Sequence, residues 1–155
     1  MIKIDIYPMN NYIRKLSLLK MQLMENIGFV SGGIKNVTPR EAFELIKKGA
    51  YILDVREVYM NNFKKFNVDN LLYCPETILE GKTQELPKDQ ILIVADATGL
   101  NSKQAVLMLN KKGFDNIYNL AGGIVEWERD GLPVTVDKKN LLGGSCMCML
   151  KPGKK

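Results

Sequence analysis

Three cysteines carry the thiol chemistry of this chain, and two of them, Cys146 and Cys148, stand one residue apart near its end. Two thiols at that spacing can close a strained disulfide, share a persulfide, or hold a soft ion such as Cu(I) or Zn with ligands from elsewhere. Lys151, Lys154 and Lys155 favour their thiolate forms. A buried cysteine is an ordinary core filler, but two in a polar segment with Gly143, Gly144 and Pro152 cannot be explained that way. The chain has no histidine, which removes Ser-His-Asp and Cys-His pairs, histidine general bases and every histidine-containing metal site. Three cysteines are also too few and too unevenly placed for a disulfide framework, so reduced thiols are expected.

The second place where chemistry could sit is Asp96-Ala97-Thr98-Gly99-Leu100-Asn101-Ser102, between an apolar run and a helical pattern. A strand-to-helix turn of this kind points successive N–H groups into its own centre, and the helix start adds about half a positive charge. It makes a place for an anion. Turned inward, the Asp96 carboxylate would be held ionised by those N–H groups and would fill the space a substrate anion needs. Turned outward, it would only cap the following helix. An aspartyl nucleophile for phosphate would need a second acid two residues on, where Thr98 stands.

These residues need elements to position them. Thr38-Pro39-Arg40-Glu41 opens a helix with a Thr cap, a Pro at the first position and a Glu that completes a capping box. Ala42, Leu45 and Ile46 form its apolar face and Gly49 stops it. Short apolar strands are expected at 51–55, 71–74, 91–95 and 116–120, and helices at 57–66, 102–112 and 123–129. That alternation predicts an α/β fold with a parallel sheet covered by helices on both faces. Ligands of such sheets sit beyond the carboxyl ends of the strands. Asp54, Arg56, Cys74, the 96–101 loop and residues 121–123 are therefore expected on one edge. Asp54 and Arg56 are read as a pair or as backbone ligands, Cys74 as a buried apolar side chain, and Trp127 as the core anchor of the last helix.

Four blocks of the sequence together resemble a known family. Ile52-Leu53-Asp54-Val55-Arg56-Glu57, Ala97-Thr98-Gly99-Leu100-Asn101-Ser102-Lys103-Gln104-Ala105, Leu120-Ala121-Gly122-Gly123 with Trp127, and Gly131-Leu132-Pro133-Val134 look like a single rhodanese domain. They keep their order over about two thirds of the chain. The resemblance implies a three-layer rhodanese-like α/β fold, with a central parallel sheet of about five strands and helices on both faces, and sulfur transfer through a cysteine persulfide in the loop after the central strand. Active members begin that loop with the nucleophilic Cys and commonly end it with Arg; here those places hold Asp96 and Asn101. The six-residue span is similar in length to the loops of sulfur-transferring members and one shorter than those of their phosphatase relatives. A carboxylate is a poor nucleophile toward sulfur and cannot store it. Thiosulfate sulfur transfer through the loop is therefore expected to be absent, and Cys146 and Cys148 become the expected carriers. The chain between Val136 and Cys146 can reach on the order of 30 Å. The alternatives are a catalytically inactive rhodanese domain that binds a partner protein and a metal-delivering tail.

Composition bounds the rest. With 155 residues, 46% of them apolar, the chain has material for one compact domain. Its net charge of +5 is uneven: residues 1–36 carry +3, residues 37–136 carry −2 and residues 137–155 carry +4. Basic residues do not interleave with aromatics along the middle, so no nucleic-acid partner is expected. The apolar clusters are too short to span a bilayer and no cleavable leader is visible, which predicts a cytoplasmic protein without membrane insertion. Tyr12, Ile13, Leu16, Leu19, Leu23 and Ile27 recur at helical spacing, giving an amphipathic helix over 10–26 that packs on its own domain or makes a homodimer contact. The expected division is an N-terminal extension over 1–36, a rhodanese-like domain over 37–136 and a flexible basic tail over 137–155. The expected partner is a sulfur donor or acceptor protein or a small thiol; no cofactor and no metal are assigned.

Overall fold

The computed structural model describes residues 27–137. The stripe over 10–26 and the thiols of Cys146 and Cys148 lie outside the described residues. In chain order the elements are β1 (Phe29–Ser31), β2 (Ile34–Val37), α1 (Pro39–Lys47), β3 (Tyr51–Asp54), α2 (Val58–Phe63), β4 (Lys64–Phe66) and β5 (Leu71–Tyr73). Then follow α3 (Glu76–Leu79), a 3-10 turn (Glu80–Glu85), β6 (Leu92–Ala95), α4 (Ser102–Lys111), β7 (Ile117–Leu120), α5 (Gly123–Arg129) and β8 (Val134–Val136).

Six strands form the main sheet in the order β1-β2-β7-β6-β3-β5. Five of them run parallel, and only β1 is antiparallel to its neighbour. Every residue of β6 and of β7 is buried, as expected of central strands covered on both sides. The two-residue alternation of a strand then sorts the side chains. Ile52, Ile93, Ala95, Tyr118 and Leu120 share one core with Ala42, Leu45 and Ile46 of α1 and Ile124 and Trp127 of α5. Leu53, Leu92, Val94 and Ile117 share the other with Leu79 of α3 and Ala105, Val106 and Leu109 of α4. The result is three layers, helix on sheet on helix.

The capping signals of α1 act as the sequence predicts. Thr38 Oγ1 accepts from the Glu41 N–H, and Glu41 Oε2 accepts from the Thr38 N–H at 2.9 Å. Trp127 lies edge-on to Phe43 and Phe66, with ring centroids 5.8 and 5.3 Å away, and its Nε1–H donates to the Pro133 carbonyl at 3.0 Å.

Three expectations about elements change. The helix expected over 57–66 ends at Phe63, and Lys64–Phe66 instead forms β4, antiparallel to β8. Phe66 must reach the Trp127 ring, and pairing with Val134 holds it there; a contact 61 residues away overrides the local helical pattern. Residues 29–37, read for the most part as extension, form β1 and β2, and β2 pairs with β7 in the sheet. The polar stretch after Pro75 carries α3 and the 3-10 turn, tied down by buried Leu79. Among the described residues no helix is long and apolar enough to cross a membrane.

Candidate functional site

The carboxyl ends of β3, β5 and β6 lie side by side, with Asp54 opposite both Tyr73 and Ala95. This register brings Asp54, Arg56, Cys74 and the 96–102 loop to one edge of the sheet. Backbone bonds continue the pairing past the strands: Val55 N–H donates to the Ala95 carbonyl and Cys74 N–H to the Asp54 carbonyl, each at 3.0 Å.

Asp96 is buried, and its carboxylate is turned into the loop. Oδ1 accepts from the Gly99 N–H and Oδ2 from the Asn101 N–H at 2.8 Å. Bonds from N–H groups to a carboxylate are charge-assisted, each worth roughly 1.5–3 kcal/mol net. The side chain thus uses two of the donors that the turn directs inward. Ser102 Oγ stands 2.6 Å from Asn119 Oδ1 and 3.2 Å from Asp96 Oδ1. Its single proton goes to the nearer acceptor.

Asn119 connects the loop to the sheet. Its Nδ2 donates to Asn36 Oδ1 at 2.9 Å and to the Gly99 carbonyl at 3.2 Å. Asn36 lies opposite Asn119 in the β2–β7 ladder and donates to the Ile34 carbonyl at 2.8 Å. Ser102, Asn119 and Asn36 therefore form one buried polar chain, joined to Asp96 through the Gly99 backbone, and among the described residues no buried side-chain N or O lacks a partner. Asn36 and Asn119 were not read from the sequence as site residues. For Asn119 a signal was present, an amide in the otherwise apolar and aromatic strand Ile117-Tyr118-Asn119-Leu120; Asn36, beside the exposed Lys35, had none.

The loop rests on the turn that opens α5. Ile124 N–H donates to the Asp96 carbonyl at 3.0 Å and Val125 N–H to the Ala97 carbonyl at 3.2 Å. The approach is close enough to require glycine. A Cβ on Gly99, at φ +79°, would lie 2.6 Å from the Leu120 carbonyl oxygen, and one on Gly123, at φ +56°, 2.5 Å from the Asp96 carbonyl oxygen. Thr98 and Asn101 are exposed, and Leu100 at the tip is 65% exposed.

Asp54 and Arg56 pair with each other. Arg56 Nε donates to Asp54 Oδ1 at 2.9 Å and its NH2 to Oδ2 at 2.6 Å, and NH2 also reaches the Lys64 carbonyl at 2.9 Å. Both side chains are almost fully buried, and the guanidinium lies over the Phe66 ring. The pair ties the end of β3 to β4 and presents no group to solvent. Cys74 is buried in the α3–α4 core, and burial pushes its thiol pKa up, with the Lys82 charge opposing. Tyr73 beside it is raised too, by burial and then by the charges of Asp54 and Glu57. Neither group is poised as a nucleophile near neutral pH. Among the described residues no set of three or more His, Cys, Asp or Glu is placed to hold a metal ion.

Known proteins share this architecture. The chain is 31% identical over 104 residues to the thiosulfate sulfurtransferase GlpE of Actinobacillus pleuropneumoniae, covering 63% of this chain and 90% of that protein. It is 33% identical over 67 residues to a sulfurtransferase of Allochromatium vinosum, covering 43% of this chain and 63% of that one's length. Among solved structures, a rhodanese-related protein from Thermoplasma volcanium superposes with a TM-score of 0.60 at 31% identity, over 66% of this chain and 98% of that one. A protein from Lactobacillus plantarum at 24% identity shares the fold with a TM-score of 0.57, over 83% and 100% of the two chains. The model of the rhodanese-like domain matches residues 38–130, more than half of the sequence and every element from α1 to α5, and the chain belongs to that family.

Proposed function

We propose that this chain is a persulfide-handling rhodanese-like protein whose loop is silent and whose working thiols are Cys146 and Cys148. In this reading Asp96 and Asn101 stand where active relatives have their cysteine and arginine. One observation carries the reading: the Asp96 carboxylate takes the N–H groups of Gly99 and Asn101 for itself. An anionic donor entering the loop would meet a fixed negative charge and find those donors already used. The loop also lacks an atom that can carry sulfur, since oxygen cannot form the persulfide intermediate.

Cys74 does not replace the missing thiol, because burial keeps it neutral and packed in the core. The two tail thiols remain, flanked by lysines that favour thiolates. In the transfer step a Cys146 or Cys148 thiolate attacks the sulfane sulfur of a donor persulfide. A new S–S bond forms, the donor's S–S bond breaks and its thiolate leaves with the bonding pair. A second thiolate, on a small thiol or a protein, then takes the sulfur in the same way, so the cycle needs no oxidant or cofactor. A cytoplasmic setting, where thiols stay reduced, suits it.

The test is cyanolysis followed by peptide mass analysis of protein incubated with a low-molecular-weight persulfide. The expected result is one additional sulfur on the peptide holding Cys146 and Cys148, released as thiocyanate, and none after replacing both by Ser. Thiosulfate sulfur transfer by a variant lacking all three thiols would overturn it. The exposed Leu100 at the loop tip and half-exposed Val125 on α5 favour a second reading, a catalytically silent module that docks a protein partner at this edge. A full chain that never accepts sulfur at either tail cysteine would decide for that module.

A further inference from the structure

Six of the eleven large apolar side chains exposed among the described residues belong to α2 and the elements around it. Val58, Tyr59 and Met60 of α2, Tyr73 after β5, Ile78 of α3 and Val136 of β8 are all among them. α2 buries none of its six residues. Next to its first turn, Val58, Leu72, Tyr73, Cys74, Pro75 and Ile78 line a groove of about 350 Å³ on the same sheet edge as the loop. A bare helix leading into an apolar groove is an uncovered docking surface.

The course of the chain says what covers it. β8 pairs with β4, placing Val136 opposite Lys64, and the Asp137 N–H donates to the Phe63 carbonyl at 2.9 Å. The described chain therefore ends beside the carboxyl end of α2, whose amino end opens the groove. The six residues of α2 rise about 9 Å, and residues 138–140 span about 10 Å when extended. That length is enough for Leu141 and Leu142 to reach the groove mouth. Charge agrees with length. Glu57 and Glu76 adjoin the lining residues Val58 and Pro75 and have no ion pair among the described residues; Lys82 in the lining is paired with Glu85 at 3.1 Å, and the segment begins with Lys138 and Lys139.

We infer that the groove between α2, the end of β5 and α3 is the docking site of this chain's own C-terminal segment, with Leu141 and Leu142 as its apolar anchors. The docked segment crosses α2, covers Tyr59 and Met60, and holds Cys146 and Cys148 at the sheet edge that carries the loop. Its purpose, presenting the tail thiols there, rests on the persulfide reading; the docking itself does not.

Limited trypsin cleavage of the full chain after Lys138 and Lys139 tests it, together with the methyl NMR signals of Val58 and Ile78. The double change Leu141→Asp, Leu142→Asp and the groove change Ile78→Asp should each speed cleavage by about tenfold, as release of a locally ordered segment does. The tail change should also shift the Val58 and Ile78 signals, and it touches no residue of the described fold. Val30→Asp, on the opposite edge strand, should leave cleavage unchanged. Cleavage and methyl signals that stay at their unmodified values in the Leu141, Leu142 variant would overturn the assignment. So would a cleavage rate that depends on protein concentration in step with a dimer seen by sedimentation, which would give the groove to a second copy. Cyanolysis of the same variants separates the two proposals: a tail released from the groove that still accepts sulfur supports both the docking and the tail thiols, and a tail that docks but never accepts sulfur overturns the persulfide reading alone.

Discussion

At Asp96 a side chain's charge and its hydrogen bonds point to one role. Removing the carboxylate by Asp96→Ala leaves the Gly99 and Asn101 N–H groups without their acceptor in a buried loop. The expected cost is about 1–3 kcal/mol, read as a lowered urea midpoint at unchanged slope. Asp96→Cys makes a sharper test of the proposed function. It places a thiol among the same N–H donors, which lower a thiol's pKa, and it should give thiosulfate sulfur transfer above that of the unmodified chain. Failure to gain any activity would mean that Asn101, at the place of the relatives' arginine, matters as much as the absent thiol. Cys74 belongs to the other extreme. Its thiol is buried and its pKa raised, so iodoacetamide at neutral pH should label it much more slowly than Cys146 and Cys148.

At the level of elements, the loop is held by what it packs on. Gly99→Ala and Gly123→Ala would each force a Cβ to within about 2.6 Å of a backbone oxygen at positive φ, so each should cost well over 1 kcal/mol in unfolding measurements. The polar chain through Ser102, Asn119 and Asn36 fixes the loop to β7 and β2, which explains why β2 belongs to the sheet rather than to a loose extension. The start of α1 has its own device. Burial raises the Glu41 pKa, but bonds from the Thr38 backbone, the Thr38 side chain and the Gly28 N–H outweigh it and leave the carboxyl below its ordinary value. A carboxyl lowered on folding stabilises above its unfolded pKa, and that contribution is lost as pH falls through the folded value. Glu41→Gln should therefore lose less than about 1 kcal/mol near neutral pH, the group being partly solvated, and the gap to the unmodified chain should shrink as pH falls from the unfolded carboxyl's pKa through the lower folded one. A gap that stays constant with pH would assign the effect to shape rather than charge.

The whole molecule is stabilised by two apolar cores on either side of one sheet, with the Asp54–Arg56 pair sealed between β3 and β4. Asp54→Asn leaves a buried guanidinium without its counter-charge and should cost about 3–5 kcal/mol, lowering the thermal midpoint by many degrees. Much of this architecture was legible beforehand because its signals are local. Strand and helix alternation, the capping box at Thr38 and Glu41, and the fully apolar run ending at Ala95 each depend on residues within a few positions of one another. The same is true of the acid at position 96, whose chemistry is set by residue type alone. What only the tertiary structure decided is where residues far apart in sequence meet. It turned the Asp96 carboxylate into the loop, joined Asn36 to Asn119 across 83 residues, and made a strand of Lys64–Phe66 because Val134–Val136 lay ready to pair with it. Such contacts have no local signature, since their free energy arises only when the chain has already brought both partners out of water.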